Sequence, residues 1–403
     1  MSLLWIMISW YEARTSILKE AEDYKKQVFR IGINKCIGFI LAENIKARHN
    51  SPPFNQSAMD GYALRHEDLK SGKEIQLNSQ SESSAGKSGA LRLEPLSAIR
   101  IFTGAKVPSN ATLVVAQENV EIENDHLVFS EKNFPVNHNI RSIGSQFRKG
   151  EIILRKGEML SAARIAIAAA AGYASLKVNG SPKVAIIITG NELARPGSTL
   201  TGSMVYESNS VMLEAVLNEH KVAVTKTFYA KDDSKHITQA FKKSIKDADI
   251  VLLSGGISVG KYDLVKDVLV KNGVKTIFHK VRQKPGKPLY FGRKGKKYIF
   301  GLPGNPAASL TCFYEYVLPF LKVIRGFQNP FGTVNKATLL NDYTKKKGLT
   351  YFLKGKVSAE GLCILPDQES YKLTSFADAN CLIVLPEDAE ILRAGEAVEY
   401  HLI

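Results

Sequence analysis

The chain has 403 residues, 44% of them hydrophobic and 23% charged, which is enough apolar material for two to four globular domains. Its 54 Lys+Arg against 39 Asp+Glu give a net charge of +15, a sign that suits nucleic acid, an anionic membrane surface or an anionic small substrate. The densest basic runs, Arg293–Lys297 and Lys345–Lys347, are short, lack interleaved aromatics and read as solvated turns, so no nucleic-acid partner is expected.

The apolar start, residues 1–10, has no basic leader region or small-residue cleavage site and is shorter than the ~20 residues a membrane span needs. Ala162–Ala174 is likewise short and carries Arg164. Neither is an export or membrane signal, and the reading is cytoplasmic. Cys36, Cys312, Cys363 and Cys381 lie far apart without a Cys-x-x-Cys pair, which fits a reducing compartment.

Residues 9–26 predict a helix capped by Ser9, with Glu12 three positions on and Ile17, Leu18, Ala21 and Tyr24 at helical spacing. Residues 51–136 hold short alternating runs such as 98–102 and 112–116, separated by Gly, Ser, Asn and Pro, and predict a β-rich domain. An alanine-rich helix follows over 161–173.

From Lys183 the chain alternates strands and helices: strands at 184–188, 222–228 and 249–253, helices at 208–219, 234–245, 263–271 and 307–324. Continuous apolar strands alternating with helices mean a doubly wound, mostly parallel sheet covered on both faces. After Pro330 short strands and turns suggest a small closing β-barrel. The predicted fold class is therefore multidomain α/β. An elongated domain (7–50 with 137–180) carries an inserted β-rich domain (51–136), followed by the α/β domain (181–327) and the barrel (328–403).

In open α/β sheets ligands bind beyond the carboxyl ends of the strands. Three segments there are unusual: Thr189-Gly190-Asn191-Glu192-Leu193, Ser254-Gly255-Gly256-Ile257-Ser258-Val259-Gly260 before a helix near Asp263, and Gly301-Leu-Pro-Gly-Asn-Pro306 before another. Two are Gly-rich turns feeding helix N-termini, whose N–H groups suit phosphate or another oxyanion. They match neither a dinucleotide fingerprint nor a Walker A loop. Between them, Lys284-Pro285-Gly286-Lys287-Pro288 places two lysines on a Pro-Gly turn, either as anion ligands or as an exposed solvated turn.

These residues resemble the molybdopterin molybdenumtransferases, the family of bacterial MoeA and the gephyrin E domain. Ser51-Pro-Pro-Phe-Asn-Gln-Ser-Ala-Met-Asp-Gly-Tyr-Ala63 and Arg100-Ile-Phe-Thr-Gly-Ala-Lys-Val-Pro108 are similar to its first two signatures, and the four segments above follow in its order. The resemblance implies an elongated four-domain homodimer acting on adenylated molybdopterin and molybdate, with Mg²⁺ assisting and AMP released. It also implies a cleft shared between subunits, with the Asp60 loop acting across the interface, and the upstream adenylyltransferase as a further partner.

Carried over by residue, Asp60, Glu192 and Asp263 are the catalytic carboxylates for the divalent cation. Thr103, Thr189, Gly190, Ser254, Gly255, Gly256, Ser258 and Gly260 would contact molybdopterin or its phosphate. Lys284, Lys287, Ser309 and Ser370 would hold molybdate. The chain departs from the family pattern at Asn55, Asn191 and Ser145-Gln146, where acidic residues are usual, and at Leu349, where an arginine is usual and Lys347 could compensate. These departures imply weaker or single-ion Mg²⁺ use: either a retuned enzyme or a weakened molybdopterin-binding or scaffold protein. A third reading, a molybdopterin adenylyltransferase resembling residues 183–325 alone, does not account for the Met-Asp-Gly-Tyr-Ala segment.

Overall fold

The computed structural model describes residues 7–24, 27–86, 91–131, 133–256, 264–332 and 334–403. The chain divides into two compact units, Met1–Phe29 with Asn179–Ile403, and Arg30–Val178.

The first unit is built on a six-stranded sheet in the spatial order Val224–Ala230, Val184–Thr189, Ile250–Ser254, Lys297–Leu302, Tyr290–Lys294 and Lys275–His279. The first four strands are parallel and the last two join antiparallel. Alternating side chains point to opposite faces. Val184, Ile186 and Ile188 therefore share a core with Ala13, Ile17, Leu213, Leu217 and Phe320, while Ile187 packs with Ile237, Phe241, Val265 and Leu269. Two cores on two faces make the sheet doubly wound, and they explain why residues 184–188 and 250–253 are apolar at every position.

The opening helix Trp10–Glu22 starts as a capping box: Ser9 Oγ accepts from the Glu12 N–H at 3.2 Å and Glu12 accepts from the Ser9 N–H at 2.7 Å. Expected beside residues 30–50, it instead buries Ala13, Ile17 and Ala21 in the α/β core. Burial of a helix stripe is decided by whichever apolar face meets it, which spacing along the chain does not reveal.

Pro306–Arg325 is the one helical stretch among the described residues long and apolar enough to cross a membrane, but 78% of that window is buried. Its composition is that of a core helix, interrupted by a π-helical turn at Phe313–Val317 and ended by Gly326 at φ 94°.

The C-terminal strands Thr350–Ser358, Cys381–Leu385, Ala397–Leu402 and Asn335–Thr338 form a sheet with Gly361–Ile364 on its other edge. The parallel bridge of Leu339 to Leu362, with the Leu340 N–H donating to Leu362 O at 2.9 Å, closes it around Leu353, Ile383, Leu385 and Val398. Gln283–Lys284 adds to this sheet, parallel to Thr350–Tyr351, and so ties the lysine turn to the barrel.

The second unit holds a six-stranded sheet in the order Leu113–Ala116, Gly61–Leu64, Ser97–Ile101, Ile75–Ser83, His126–Phe129 and Val120–Glu123. A separate core gathers Leu41, Ile45, Leu154, Leu160, Ala168, Leu176 and Val178 around helix Ala162–Ala170. Ala168 is the buried alanine of that helix, and Ala162, Ala163, Ala166, Ala169 and Ala170 are exposed.

Candidate functional site

At the carboxyl edge of the α/β sheet, Thr189 and Ser254 end adjacent strands. The turns that follow need glycine for lack of room. A Cβ on Gly255, at φ 95°, would lie 2.0 Å from Thr189 O, and one on Gly256 would lie 2.8 Å from Val265 Cγ2. A Cβ on Gly190 would lie 2.7 Å from Leu193 Cδ1.

Ser254 is occupied by the scaffold. It accepts from Asn209 Nδ2 at 2.9 Å and donates to Pro303 O at 3.2 Å, tying its strand end to the start of helix Asn209–Glu219 and to the Pro303 turn. Thr189 Oγ1 likewise donates to Asp232 Oδ1 at 3.2 Å. Both hydroxyls, expected as ligand donors, shape the edge through internal bonds. Glu192 is exposed beside them. Ser258, Gly260 and Asp263 lie outside the described residues.

Two residues at this edge escape a reading of motifs. Asn209 is 8% exposed and donates to Ser254 Oγ and, at 2.7 Å, to Gly304 O, while its Oδ1 has no hydrogen-bond partner. A buried acceptor left open in a cavity wall fits a ligand or solvent donor. Asp232 follows strand Val224–Ala230 at the same edge, and its N–H donates to Asn191 Oδ1 at 3.2 Å. The signal for Asp232 was the strand end itself. For Asn209 there was none, because its partners are contributed by distant segments.

A cavity of 310 Å³ is lined here by Thr189, Glu192, Asn209, Ser254, Gly255 and Asn305. A second, of 510 Å³, is lined by Lys284, Pro285, Gly286, Lys287, Asn305, Gln368, Ser370 and Leu349. The lysine turn is braced from behind by buried Gln283. Its Nε2 donates to Pro285 O at 3.1 Å and Gly286 O at 3.2 Å, and its Oε1 accepts from the Tyr316 hydroxyl. A Cβ on Gly286, at φ 89°, would meet Cys312 Sγ at 2.5 Å. Ser370 Oγ accepts from Asn305 Nδ2 at 2.7 Å, joining the barrel unit's loop to the Gly-Asn-Pro turn.

Lys284, Lys287 and Ser370 are thus brought together. Ser309 is not: it is fully buried in helix Pro306–Cys312, its hydroxyl unpartnered, and Ala308 lines the cavity in its place. One residue is about 100° of helix rotation, enough to turn a side chain from cavity to core.

Leu349 does line the lysine cavity, whereas Lys347 pairs with exposed Glu390 at 3.3 Å and does not compensate. Lys345 behaves differently from a solvated turn residue. It is buried, donates to Leu349 O at 3.0 Å, and holds its ammonium 5.1 Å from the Tyr351 ring centre. Lys297, in the other basic run, donates to Ala248 O at 2.8 Å near the C-terminus of helix Ser234–Asp247.

In the second unit Asp60 and Thr103 come together. Asp60 Oδ1 accepts from the Thr103 N–H at 2.7 Å and from Thr103 Oγ1 at 2.6 Å. Those two bonds hold the exposed carboxyl below the usual carboxylate range. Gly61 follows because a Cβ there would lie 2.0 Å from Val115 O of the neighbouring strand. Asn55 Oδ1 accepts from the Ile143 N–H at 2.9 Å and Gln146 Oε1 from Ser51 Oγ at 2.8 Å. The neutral amides of this unit are local loop ties. Among the described residues, no group of three or more His, Cys, Asp or Glu is placed to hold a metal ion.

Three family models match successive parts of the chain: the MoeA N-terminal region (domain I and II) at residues 8–172, the "Probable molybdopterin binding domain" at 185–323, and the MoeA C-terminal region (domain IV) at 336–403. A molybdopterin molybdenumtransferase of Staphylococcus epidermidis is 32% identical over 402 residues, covering 98% of this chain and 95% of that protein. One of Staphylococcus aureus is 32% identical over 382 residues, covering 92% and 90%. The crystal structure of a molybdopterin biosynthesis MoeA protein from Pyrococcus horikoshii superposes with a TM-score of 0.82 at 30% identity, over 98% of this chain and 99% of that one. With near full-length likeness in both sequence and fold, the chain belongs to the MoeA family, whose curated members are named molybdopterin molybdenumtransferase.

Proposed function

We infer that this chain is a molybdopterin molybdenumtransferase, a transferase of molybdenum-cofactor biosynthesis. The observation that carries this reading is the lysine cavity, in which Lys284, Lys287 and Ser370 converge beside the Gly-rich strand ends in a chain that spans its relatives almost entirely. Molybdate, the substrate, is a tetrahedral dianion. Two ammonium groups offset its charge, and the Ser370 hydroxyl and Asn305 amide supply hydrogen bonds.

The substrate form we propose is adenylated molybdopterin. Water cleaves its phosphoanhydride and AMP leaves; the two thiols of the dithiolene then replace one oxo group of molybdate, which departs with their protons as water. The chain's residues bind and orient: the Gly255–Gly256 turn takes the phosphate, and the lysines hold the oxyanion against the thiols.

Mg²⁺ is part of this proposal, with Asp60, Glu192 and Asp263 as its expected carboxylates. The described residues fit in chemistry: Glu192 lines the phosphate cavity, Asp232 adds a carboxylate at the same edge, and Asp60 is held anionic. Magnesium takes one or two carboxylates and fills the rest of its shell with phosphate oxygens and water. When bound it would offset phosphoanhydride charge.

We also propose a cytoplasmic homodimer, which the exposed alanine face of helix Ala162–Ala170 suits for close helix packing, with the adenylyltransferase as the supplier of substrate.

The deciding experiment is reconstitution of the full chain with adenylated molybdopterin, molybdate and Mg²⁺. AMP release together with molybdenum cofactor active in an apo-molybdoenzyme is expected. Tight molybdopterin binding without AMP release or cofactor would make the chain a scaffold and overturn the enzymatic reading.

A further inference from the structure

The two cavities already described continue into a third. The phosphate cavity and the lysine cavity share Gly304 and Asn305. The lysine cavity in turn shares Lys284, Pro285, Gln368 and Ser370 with a cavity of 470 Å³ in which the barrel supplies Tyr343, Tyr351, Tyr371, Asp367 and Glu369. The chemistry changes along this row, from glycine N–H groups, to two lysines, to aromatic rings beside carboxylates.

Within the third cavity the groups are not equally available. The Tyr351 ring is taken by the Lys284 and Lys345 ammonium groups, 5.2 Å and 5.1 Å from its centre. The Asp367 carboxylate is taken by Lys372 in a close ion pair. Glu369 reaches the same ammonium only at 3.6 Å and is half-exposed. Tyr371, next to Ser370, is 60% exposed. A large aromatic kept open at a cavity rim beside an available carboxylate suits a flat heterocycle with N–H donors on one edge.

We propose that this third cavity receives the pterin end of molybdopterin, with Tyr371 stacking on the ring and Glu369 accepting from its 2-amino and N3 hydrogens. The inference rests on the molybdopterin reading above. Molybdopterin carries phosphate and dithiolene on its pyran ring and the amino edge of the pterin at the opposite end. Laid along the row, it puts its phosphate at the glycines, its sulfurs at the lysines and its amino edge at Glu369. Two parallel N–H groups facing one carboxylate form the paired, charge-assisted geometry that makes such contacts selective. Lys287, which lines the neighbouring cavity and not this one, disfavours an N–H edge there and so favours this direction for the substrate.

The test measures dissociation constants of metal-free molybdopterin and of molybdate for the full-length chain and for Glu369→Gln, Tyr371→Ala and Tyr371→Phe. Loss of a charge-assisted pair corresponds to about a 10- to 150-fold rise in the molybdopterin constant for Glu369→Gln. Tyr371→Ala is expected to raise it about 2- to 13-fold, with Tyr371→Phe restoring it, since stacking needs the ring and not the hydroxyl. Molybdate affinity should stay unchanged in all three. 6-Hydroxymethylpterin, which has neither phosphate nor dithiolene, should compete with molybdopterin on the unmodified chain and lose that ability in Glu369→Gln. Unchanged molybdopterin binding in Glu369→Gln and Tyr371→Ala would place the pterin elsewhere and overturn the inference, leaving the transferase reading intact. If the unmodified chain bound no molybdopterin, the transferase reading itself would fall, and this inference with it.

Discussion

Asp60 and the Lys284–Lys287 turn are both charged features of family motifs, yet they are held in opposite ways. Asp60 stands exposed at the end of a turn, fixed by two bonds from one neighbour, Thr103. The lysines are carried on a turn whose shape is set from the buried side by Gln283, Tyr316 and Cys312, residues that touch no solvent. The carboxylate is preorganised locally and at little cost in burial. The lysine turn is preorganised by the core, so its geometry and the stability of the unit are coupled.

The largest effect should come from the exposed side of this comparison. Asp60→Ala is expected to lower AMP release about 10²- to 10³-fold, the usual consequence of removing one preorganised electrostatic group. Its thermal midpoint should move little, because the two bonds it accepts from Thr103 are exposed and water can replace them. Thr103→Ala should lower the rate less while also sparing stability. An unchanged rate in Asp60→Ala would make Asp60 a turn residue and dissolve the contrast.

Lys287→Ala comes next. Losing one charge-assisted bond should raise the molybdate requirement about 10- to 150-fold with little change in molybdopterin affinity. Equal loss of both affinities would mean that the lysines hold the phosphate. With Leu349 in the cavity wall and Lys347 paired to Glu390, no nearby arginine or lysine from residues 345–349 reaches in to cover the loss.

Gln283→Met tests the core side directly. It leaves the Tyr316 hydroxyl and two turn carbonyls without their partner, and an unsatisfied buried polar group costs about 1–3 kcal/mol. Unlike Asp60→Ala and Lys287→Ala, it should lower the thermal midpoint and weaken molybdate binding together, although no charge is removed. A variant that lost stability but kept molybdate affinity would show that the turn holds its shape without the brace.

The same division explains what could be read from the sequence. Ser9 and Glu12 declare a helix start because both partners lie within one turn. The apolar runs at 184–188 and 249–253 declare buried strands, and the glycines after them mark places where a side chain would strike a neighbouring backbone or side chain. Asp60 and Thr103 were found as members of motifs, and they prove to be each other's partners. Gln283, Asn209 and Lys345 were missed because each derives its role from contacts 29 or more residues away or from burial that no local pattern encodes. Ser309 was carried over from the family pattern, which gives a position in the helix but not the side of it that faces the cavity; in this chain Ala308 faces it and Ser309 is buried.

The smallest expected effect lies away from the substrate cavities, where the core and the barrel meet within the α/β unit. His401, on strand Ala397–Leu402, faces Glu315 of the π-helical turn through Nδ1 at 2.7 Å and Glu399 through Nε2 at 3.0 Å. With both ring nitrogens on carboxylates, the doubly protonated ring satisfies both contacts as donors. Burial works against the charged ring and Arg14 opposes it as well, but the two glutamates outweigh them and the pKa lies above its ordinary value. A raised folded-state pKa contributes stability that is fully present below the unfolded value of about 6.5 and is lost as pH rises through the folded value. The unmodified chain should therefore lose thermal stability from pH 6 towards pH 9 by more than His401→Gln does, with the difference between them shrinking as pH rises. Because Lys284, Lys287 and Asp60 are not part of this cluster, molybdate affinity should not follow the same curve. Parallel pH profiles for the two proteins would show that the ring has the same pKa folded and unfolded, and that the two glutamates do not hold a proton on it.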